Sequence, residues 1–307
     1  MPATTPTPDT GAIERIRTLA LVGQTASGKT SLAEALLHRA GALGAPGSLE
    51  RGTTVSDFDP MERRAQHSLN SAVMHLEHHN TRIHLIDTPG YPDFVGQSMT
   101  ALEAVETAAV VINATTGIEM MSARMMEWAQ GRGLDRMVIV NKIDAQGVDL
   151  PGLLEQIRAA FGKECLPLNL PAAGGTKVVD CFFNTEGQSD FGSVAAAHRA
   201  PVEQVVAVDP AFVDRYLNDG DVDPRELHAP LEQALREGHL IPVCFVSARN
   251  GAGVAELLNV IVRLLPHPGE GNPPQFYEGE GEQAKELHAD PDPAKHGDRA
   301  KQRHPDH

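Results

Sequence analysis

An eight-residue loop, Gly23-Gln24-Thr25-Ala26-Ser27-Gly28-Lys29-Thr30, matches G-x-x-x-x-G-K-[ST] and constrains the fold of this chain more than any other feature. It stands between the apolar run Ile16–Val22 and the stretch Thr30–Arg39, where Leu32, Ala35 and Leu36 have helical spacing and Gly41 is the stop. Glycines at both ends let backbone N–H groups turn inward around phosphate oxygens, and the N-terminus of the helix adds positive potential. The loop therefore calls for a strand before it, a helix after it and a parallel sheet to carry both. In that setting Lys29 is expected to neutralise β- and γ-phosphates, and the Thr30 hydroxyl to ligate Mg²⁺.

The apolar runs Ala72–Leu76, Ile83–Ile86, Ala109–Ile112, Met137–Val140 and Val243–Val246 read as further strands. Several end directly in polar or Gly-containing loops: Val22 in GQTASGKT, Ile86 in DTPG, Val140 in NKID and Val246 in SARN. In an open α/β sheet a ligand lies beyond the carboxyl ends of the strands, so these four loops are expected to converge on one site. The expected fold is α/β of the P-loop NTPase type, a mostly parallel sheet with helices on both faces and an inserted α+β subdomain. A His78-His79-Asn80 turn joins two of the runs into a hairpin, making one edge strand antiparallel.

Between Asp144 and Ser247 lie about a hundred residues, far more than one crossover needs. The insert is expected at about 165–240, with strand-like Lys177–Phe183, a turn through Thr185–Gly192, a β-rich Val202–Val208, and short helices around Pro210–Asn218 and Pro224–Glu237. Residues 14–266 then form one domain, preceded by a disordered start over 1–13 and followed by a disordered tail over 267–307. After Tyr277 that tail has Leu287 as its single large aliphatic residue, too little to bury a core.

Composition excludes other classes. Twenty-six Lys plus Arg against 41 Asp plus Glu give a net charge of −15, which argues against duplex DNA held by charge alone. No window approaches the roughly eighteen uninterrupted apolar residues of a membrane span, and the Pro/Thr-rich start lacks a secretory core, so a cytoplasmic location is expected. Cys165, Cys181 and Cys244 have no C-x-x-C spacing and read as buried thiols. The run Met120, Met121, Met125, Met126 reads as helix packing.

The loops after the later strands define the ligand. Asp87, in Asp87-Thr88-Pro89-Gly90, can hold Mg²⁺ through water, and the Gly90 N–H can sense a γ-phosphate. In Asn141-Lys142-Ile143-Asp144, the Asp144 carboxylate can accept from the N1–H and N2–H₂ donors of guanine, whereas adenine would leave it unpaired. Asn141 is expected to tie loops together and approach N7, the Lys142 stem to cover a ring face, and Ser247-Ala248 to offer a backbone N–H to O6. Together these loops imply GTP or GDP, bound with Mg²⁺.

In these residues the chain resembles a translational GTPase, most closely the GTP-binding (G) domain of elongation factor G or a paralogue. The similarity runs from about Arg15 to Pro266: GTTVSDF with a Glu/Arg stretch after it, IDTPGYPDFV, NKID, a closing LLPHP, and the insert. The resemblance implies Mg-dependent GTP hydrolysis coupled to ribosome binding, with Lys29, Gly90 and Tyr91 at the catalytic centre and switch loops that respond to the γ-phosphate. Where the family has DxPGH, with a His that positions or activates water, this chain has Tyr91. A phenol of pKa about 10 is a poor base at neutral pH, although its hydroxyl can still orient a water, so hydrolysis is expected to be weak or altered. Ala26 stands where the family's phosphate loop has an Asp. The family's switch I RGIT reads here as Ala65-Gln66-His67-Ser68, which makes Ser68 the hydroxyl for Mg²⁺, with Thr53 or Thr54 as the alternative. The rival readings are a nucleotide-binding interaction module without turnover and a truncated inactive fragment. PPQFYEGEG resembles the lead into the family's β-barrel domain, and the stretch after it lacks a strand pattern, so a truncated end that binds nucleotide without translocating is expected.

Overall fold

The period of two along β1 (Ile16–Val22) sends Leu19 and Leu21 into one apolar cluster and Ala20 and Val22 into another, all with no exposed surface. A strand buried on both faces needs a helical layer on each side. The structure is a computed structural model that describes residues 13–206, 228–271, 276–278 and 285–287. Its central sheet joins β1 to β2 (Ala72–His78), β3 (Thr81–Asp87), β4 (Thr107–Asn113), β5 (Asp135–Asn141), β6 (Cys165–Pro167) and β9 (Ile241–Phe245). The seven strands lie in the order β2-β3-β1-β4-β5-β9-β6. Every pairing in this sheet is parallel except β2 with β3.

Helices α1 (Lys29–Arg39) and α8 (Val254–Leu264) cover the Leu19 face through Leu32, Leu36, Leu257 and Ile261. On the Ala20 face α3 (Val95–Leu102), α4 (Met120–Gly131) and α5 (Leu150–Phe161) contribute Leu102, Met121, Leu153 and Ile157. The short α2 is Pro60–Ala65. Strand order reverses about β1, which pairs with β3 on one side and β4 on the other, so the loops leaving β1 and β4 diverge and open a crevice. The Gly23–Thr30 loop lies at that crevice. Of the methionine run, Met121, Met125 and Met126 pack in the core and Met120 is 62% exposed. The three cysteines are buried and free, and burial pushes the Cys165 and Cys181 thiols up to about 12.

Several elements differ from the sequence expectations. β2 continues to His78, and His79 and Asn80 supply the left-handed pair (φ 47° and 60°) that a two-residue hairpin turn demands. The expected β-rich Val202–Val208 is instead helical as far as it is described, within α6 (Val194–Val206). Burial of Val202 in the core overrides the strand preference of β-branched residues. The expected helix at Pro224–Glu237 corresponds to α7 (His228–Arg236), while Pro210–Asn218 lies outside the described residues.

The segment expected as an insert is partly built into the main sheet. β6 pairs with β9, and Leu231 and Leu235 of α7 enter the Leu19-side core. Among the described residues of that segment, β7 (Asn169–Ala172) and β8 (Lys177–Asp180) form a separate hairpin. In the expected tail, β10 (Phe276–Glu278) pairs antiparallel with β11 (Lys285–Leu287). Backbone ladders form without the aliphatic content that a packed core needs. Residues 1–12, 272–275, 279–284 and 288–307 lie outside the described residues. Among those described, no helix is long and apolar enough to cross a membrane.

At the end of the sheet away from the crevice, Asp135 opens β5 with both carboxylate oxygens buried and without a hydrogen-bond partner. Burial pushes its pKa up to about 7, against the opposing pull of Arg236. The folded chain therefore holds a proton that the unfolded chain releases, and stability falls as pH rises between the unfolded value, about 4, and the folded one. Asp135→Asn is expected to stabilise the chain by about 1–3 kcal/mol at pH 8 and by less than half of that at pH 5. Thermal melts at the two pH values test this, and an equal shift at both would contradict it.

Candidate nucleotide site

The loop after β1 closes on itself through its lysine. Lys29 is buried, and its Nζ donates to the carbonyls of Gly23 (3.0 Å) and Gln24 (2.8 Å). Gly28 caps α1 with φ 91°, in the left-handed region, and Ala26 also has positive φ (58°). The Gln24 side chain accepts from Met121 N (3.2 Å), joining the loop to α4. From the loop after β3, the Gly90 carbonyl accepts from Thr25 N (3.0 Å). A Cβ on Gly90 would strike Thr25 N and the Lys29 ammonium, so glycine is what permits this approach. A cavity of about 320 Å³ opens here, bounded by Thr25, Ala26, Gly28, Lys29, Thr30, Ser68, Gly90 and Tyr91 among the expected residues. Leu49, Ala65, Gln66, His67 and Thr88 also line it.

Oxygen atoms gather on the Thr30 side. Thr30 Oγ1 donates to Asp87 Oδ2 (2.6 Å) and lies 3.3 Å from Ser68 Oγ, which lies 2.7 Å from Asp57 Oδ1 as donor. Thr54 donates to the other Asp57 oxygen (3.1 Å), whereas Thr53 Oγ1 accepts from Ser48 N (3.0 Å). Of the three alternative hydroxyls, Ser68 is the one beside Thr30. Asp87 Oδ1 is buried without a partner. Burial pushes Asp87 up to about 6, with the Thr30 hydrogen bond and the Lys29 charge acting the other way, and the same burial lowers Lys29 to about 8. Hard oxygens, a carboxylate oxygen with nothing to accept from and a second carboxylate nearby fit a divalent cation of the Mg²⁺ class.

Asp57 is a residue that reading the sequence missed. Nothing in GTTVSDF marks it, because its importance comes from meeting Ser68 across a turn of chain. What could be read is the capping box Asp59-Pro60-Met61-Glu62, in which Asp59 accepts from Met61 N (2.7 Å) and Glu62 from Asp59 N (3.3 Å). Glu62 also accepts from Leu69 N (2.9 Å) and Asn70 N (3.0 Å). Glu34 of α1 accepts from Gly47 N (2.7 Å) and Val55 N (2.6 Å). These carboxylates fasten the segment 47–70 over the cavity.

The loops after β5 and β9 meet the phosphate loop through one amide. Asn141 Nδ2 donates to Ser27 O (3.0 Å) and Gly28 O (3.4 Å), and its Oδ1 accepts from Lys142 N (2.8 Å) and Ala248 N (3.0 Å). Three loops are thereby tied, and the amide is fully used in doing so. Lys142, with φ 65°, extends its Nζ to Ala26 O (2.8 Å). Asp144 is half-buried, and the chain before it is set by Ile143 N donating to Val246 O (3.3 Å) and by Gly175 packed against the Ile143 carbonyl. The expectation for O6 meets a different geometry: Ser247 N donates to Ala252 O (2.8 Å) and Ala248 N to Asn141.

Tyr91 stands at the mouth of the cavity, 37% exposed, at the start of a 3₁₀ turn over Pro92–Phe94. Its ring packs on that of His67, centroids 4.5 Å apart and planes tilted by 50°.

Comparison with known proteins gives the same direction. The family described as Elongation factor Tu GTP binding domain matches residues 14–267. An elongation factor G-like protein of Mycobacterium tuberculosis is 34% identical over 290 residues, covering 90% of this chain and 41% of that protein. An oxytetracycline resistance protein of Streptomyces rimosus is 32% identical, covering 81% of this chain and 37% of that protein. A peptide chain release factor 3 of Nitrosomonas europaea is 30% identical, covering 84% and 51%. The crystal structure of a protein from Thermus thermophilus superimposes with a TM-score of 0.76 at 35% identity, covering 84% of this chain and 41% of that one. The chain thus spans about half or less of the length of these proteins.

Proposed function

Because this chain belongs to the Elongation factor Tu GTP binding domain family, as a translational GTPase domain of the elongation factor G-like kind, we propose that it binds GTP and GDP with Mg²⁺ and hydrolyses GTP slowly until a ribosome completes the site. The observation that carries this reading is the convergence of loops on one crevice, with Gly90 on Thr25 and Asn141 joining Ser27, Gly28 and Ala248. Backbone N–H groups of Gly23–Thr30 and the N-terminus of α1 cradle the phosphates, and Lys29 exchanges its two carbonyl acceptors for phosphate oxygens. Thr30, Ser68 and Asp87 would hold Mg²⁺, which when bound neutralises charge on the β- and γ-phosphate oxygens. Asp57 positions Ser68. Gly90 reports the γ-phosphate, and Asp144 selects guanine. The same reading takes residues 14–266 as the nucleotide-binding unit and about 165–240 as its insert. Partnership with the ribosome rests on the relatives named as elongation and release factors.

Tyr91 favours a second reading, a module that docks with nucleotide bound and does not turn over. Single-turnover GTP hydrolysis with and without ribosomes, on the native chain and on Tyr91→His, separates the two. Tyr91→His is expected to hydrolyse at least about tenfold faster than the native chain with ribosomes present. Equal rates would remove Tyr91 as the cause of slow turnover. Bound GTP with no turnover in either protein would favour the docking module.

A further inference from the structure

The phenol at position 91 leaves open which group orients the attacking water, and the cavity wall holds an imidazole that the family resemblance does not assign. We propose that His67 orients that water beside the γ-phosphate, with the Tyr91 ring as the platform that holds the imidazole in place. The inference rests on the reading of the chain as a GTP-hydrolysing domain.

Four observations carry it. His67 and Tyr91 line the same cavity as Lys29 and Gly90, the space where the terminal phosphate is expected. Their centroids lie 4.5 Å apart with a 50° tilt, within the range of favourable ring packing. The backbone at 67 is held on both sides: Gln66 ends α2 in the left-handed region (φ 54°), and Ser68 Oγ lies 3.3 Å from Thr30 Oγ1 and 2.7 Å from Asp57 Oδ1. His67 Nδ1 lies 3.4 Å from Ser68 O. With the proton on Nδ1 it donates to that carbonyl, which leaves Nε2 a lone pair to accept from water.

The step asked of His67 is positional. The water oxygen forms a bond to the γ-phosphorus, and the bond from that phosphorus to the β–γ bridging oxygen breaks, its electron pair remaining on GDP. The water's proton passes to an oxygen of the departing phosphate. Nε2 accepts a hydrogen bond from the water throughout, and the imidazole keeps its protonation state. Holding the water in line removes part of the entropic barrier.

The test compares the native chain with His67→Ala and His67→Gln, whose side-chain oxygen offers an acceptor in place of Nε2. Three quantities are measured: affinity for GDP, affinity for GDP with aluminium fluoride as a mimic of the phosphoryl group in transfer, and single-turnover hydrolysis with ribosomes. His67→Ala is expected to lower the hydrolysis rate and the affinity for the mimic at least about tenfold each, with GDP affinity unchanged, and His67→Gln to restore most of both. A native rate in His67→Ala overturns the assignment of His67 alone. A parallel loss of GDP affinity, or His67→Gln failing as badly as His67→Ala, overturns it too, since either marks a merely structural role. A native chain that binds GTP and never hydrolyses it overturns the hydrolysis reading itself.

Discussion

Asp144→Asn is expected to lower GTP affinity by about 10²–10⁴-fold and to shift preference to xanthosine triphosphate. The carboxylate would accept two hydrogen bonds from guanine N1–H and N2–H₂, and bonds to a charged acceptor contribute about 1.5–3 kcal/mol each. An amide in its place keeps one acceptor for N1–H but turns an N–H₂ toward the guanine N2–H₂, donor against donor. Xanthine carries a carbonyl at that position and restores the match. The substitution is isosteric, and the backbone around it is held by Ile143 N on Val246 O (3.3 Å) and by Gly175 against the Ile143 carbonyl. The fold is therefore expected to persist, and titration with both nucleotides beside a thermal melt checks the result. Unchanged GTP affinity would sink the assignment of the base pocket.

Gly28→Ala is expected to damage both stability and binding, by about 3–5 kcal/mol and at least about 100-fold. Two causes add. The residue's φ of 91° is strained for any L side chain, which costs about 1–2 kcal/mol. A Cβ there would also fall on the Asn141 amide nitrogen, and Asn141 is buried with hydrogen bonds to the phosphate loop and to Ala248. Moving that amide leaves buried donors and acceptors unpaired and separates the phosphate loop from the base loops. Gly41→Ala isolates the first cause, since Gly41 has φ 81° and nothing within 4 Å of its would-be Cβ. It is expected to cost about 1 kcal/mol and leave nucleotide affinity unchanged. Calorimetric melts and GDP titration of the two variants make the comparison, and equal effects would refute the contact with Asn141.

Much of the scaffold could be read directly because its signals are local. Ile16–Val22 is an apolar run that ends in a glycine-rich loop, and the helix after Thr30 shows its 3.6-residue period within three turns. The loop residues at strand ends carry their chemistry in their type: a lysine after glycine, an Asp after a buried strand, an Asn two residues before an isoleucine. Segments with weaker local signals were read less well. Val202 belongs to a helix because its burial against the core outweighs β-propensity, and Cys165–Pro167 joins the main sheet through hydrogen bonds to a strand more than seventy residues away.

The sequence by itself determined the phosphate loop, the chain order of the strand-end loops and the residue types they present, because turn geometry and periodicity act over a few residues. Only the tertiary structure decided that β1 lies between β3 and β4, that Asp57 meets Ser68 and that His67 packs on Tyr91. It also decided that one amide, Asn141, ties the loops together. Contacts between distant segments depend on how the sheet orders its strands and where the segment 47–70 is fastened, which residue type and spacing do not encode locally.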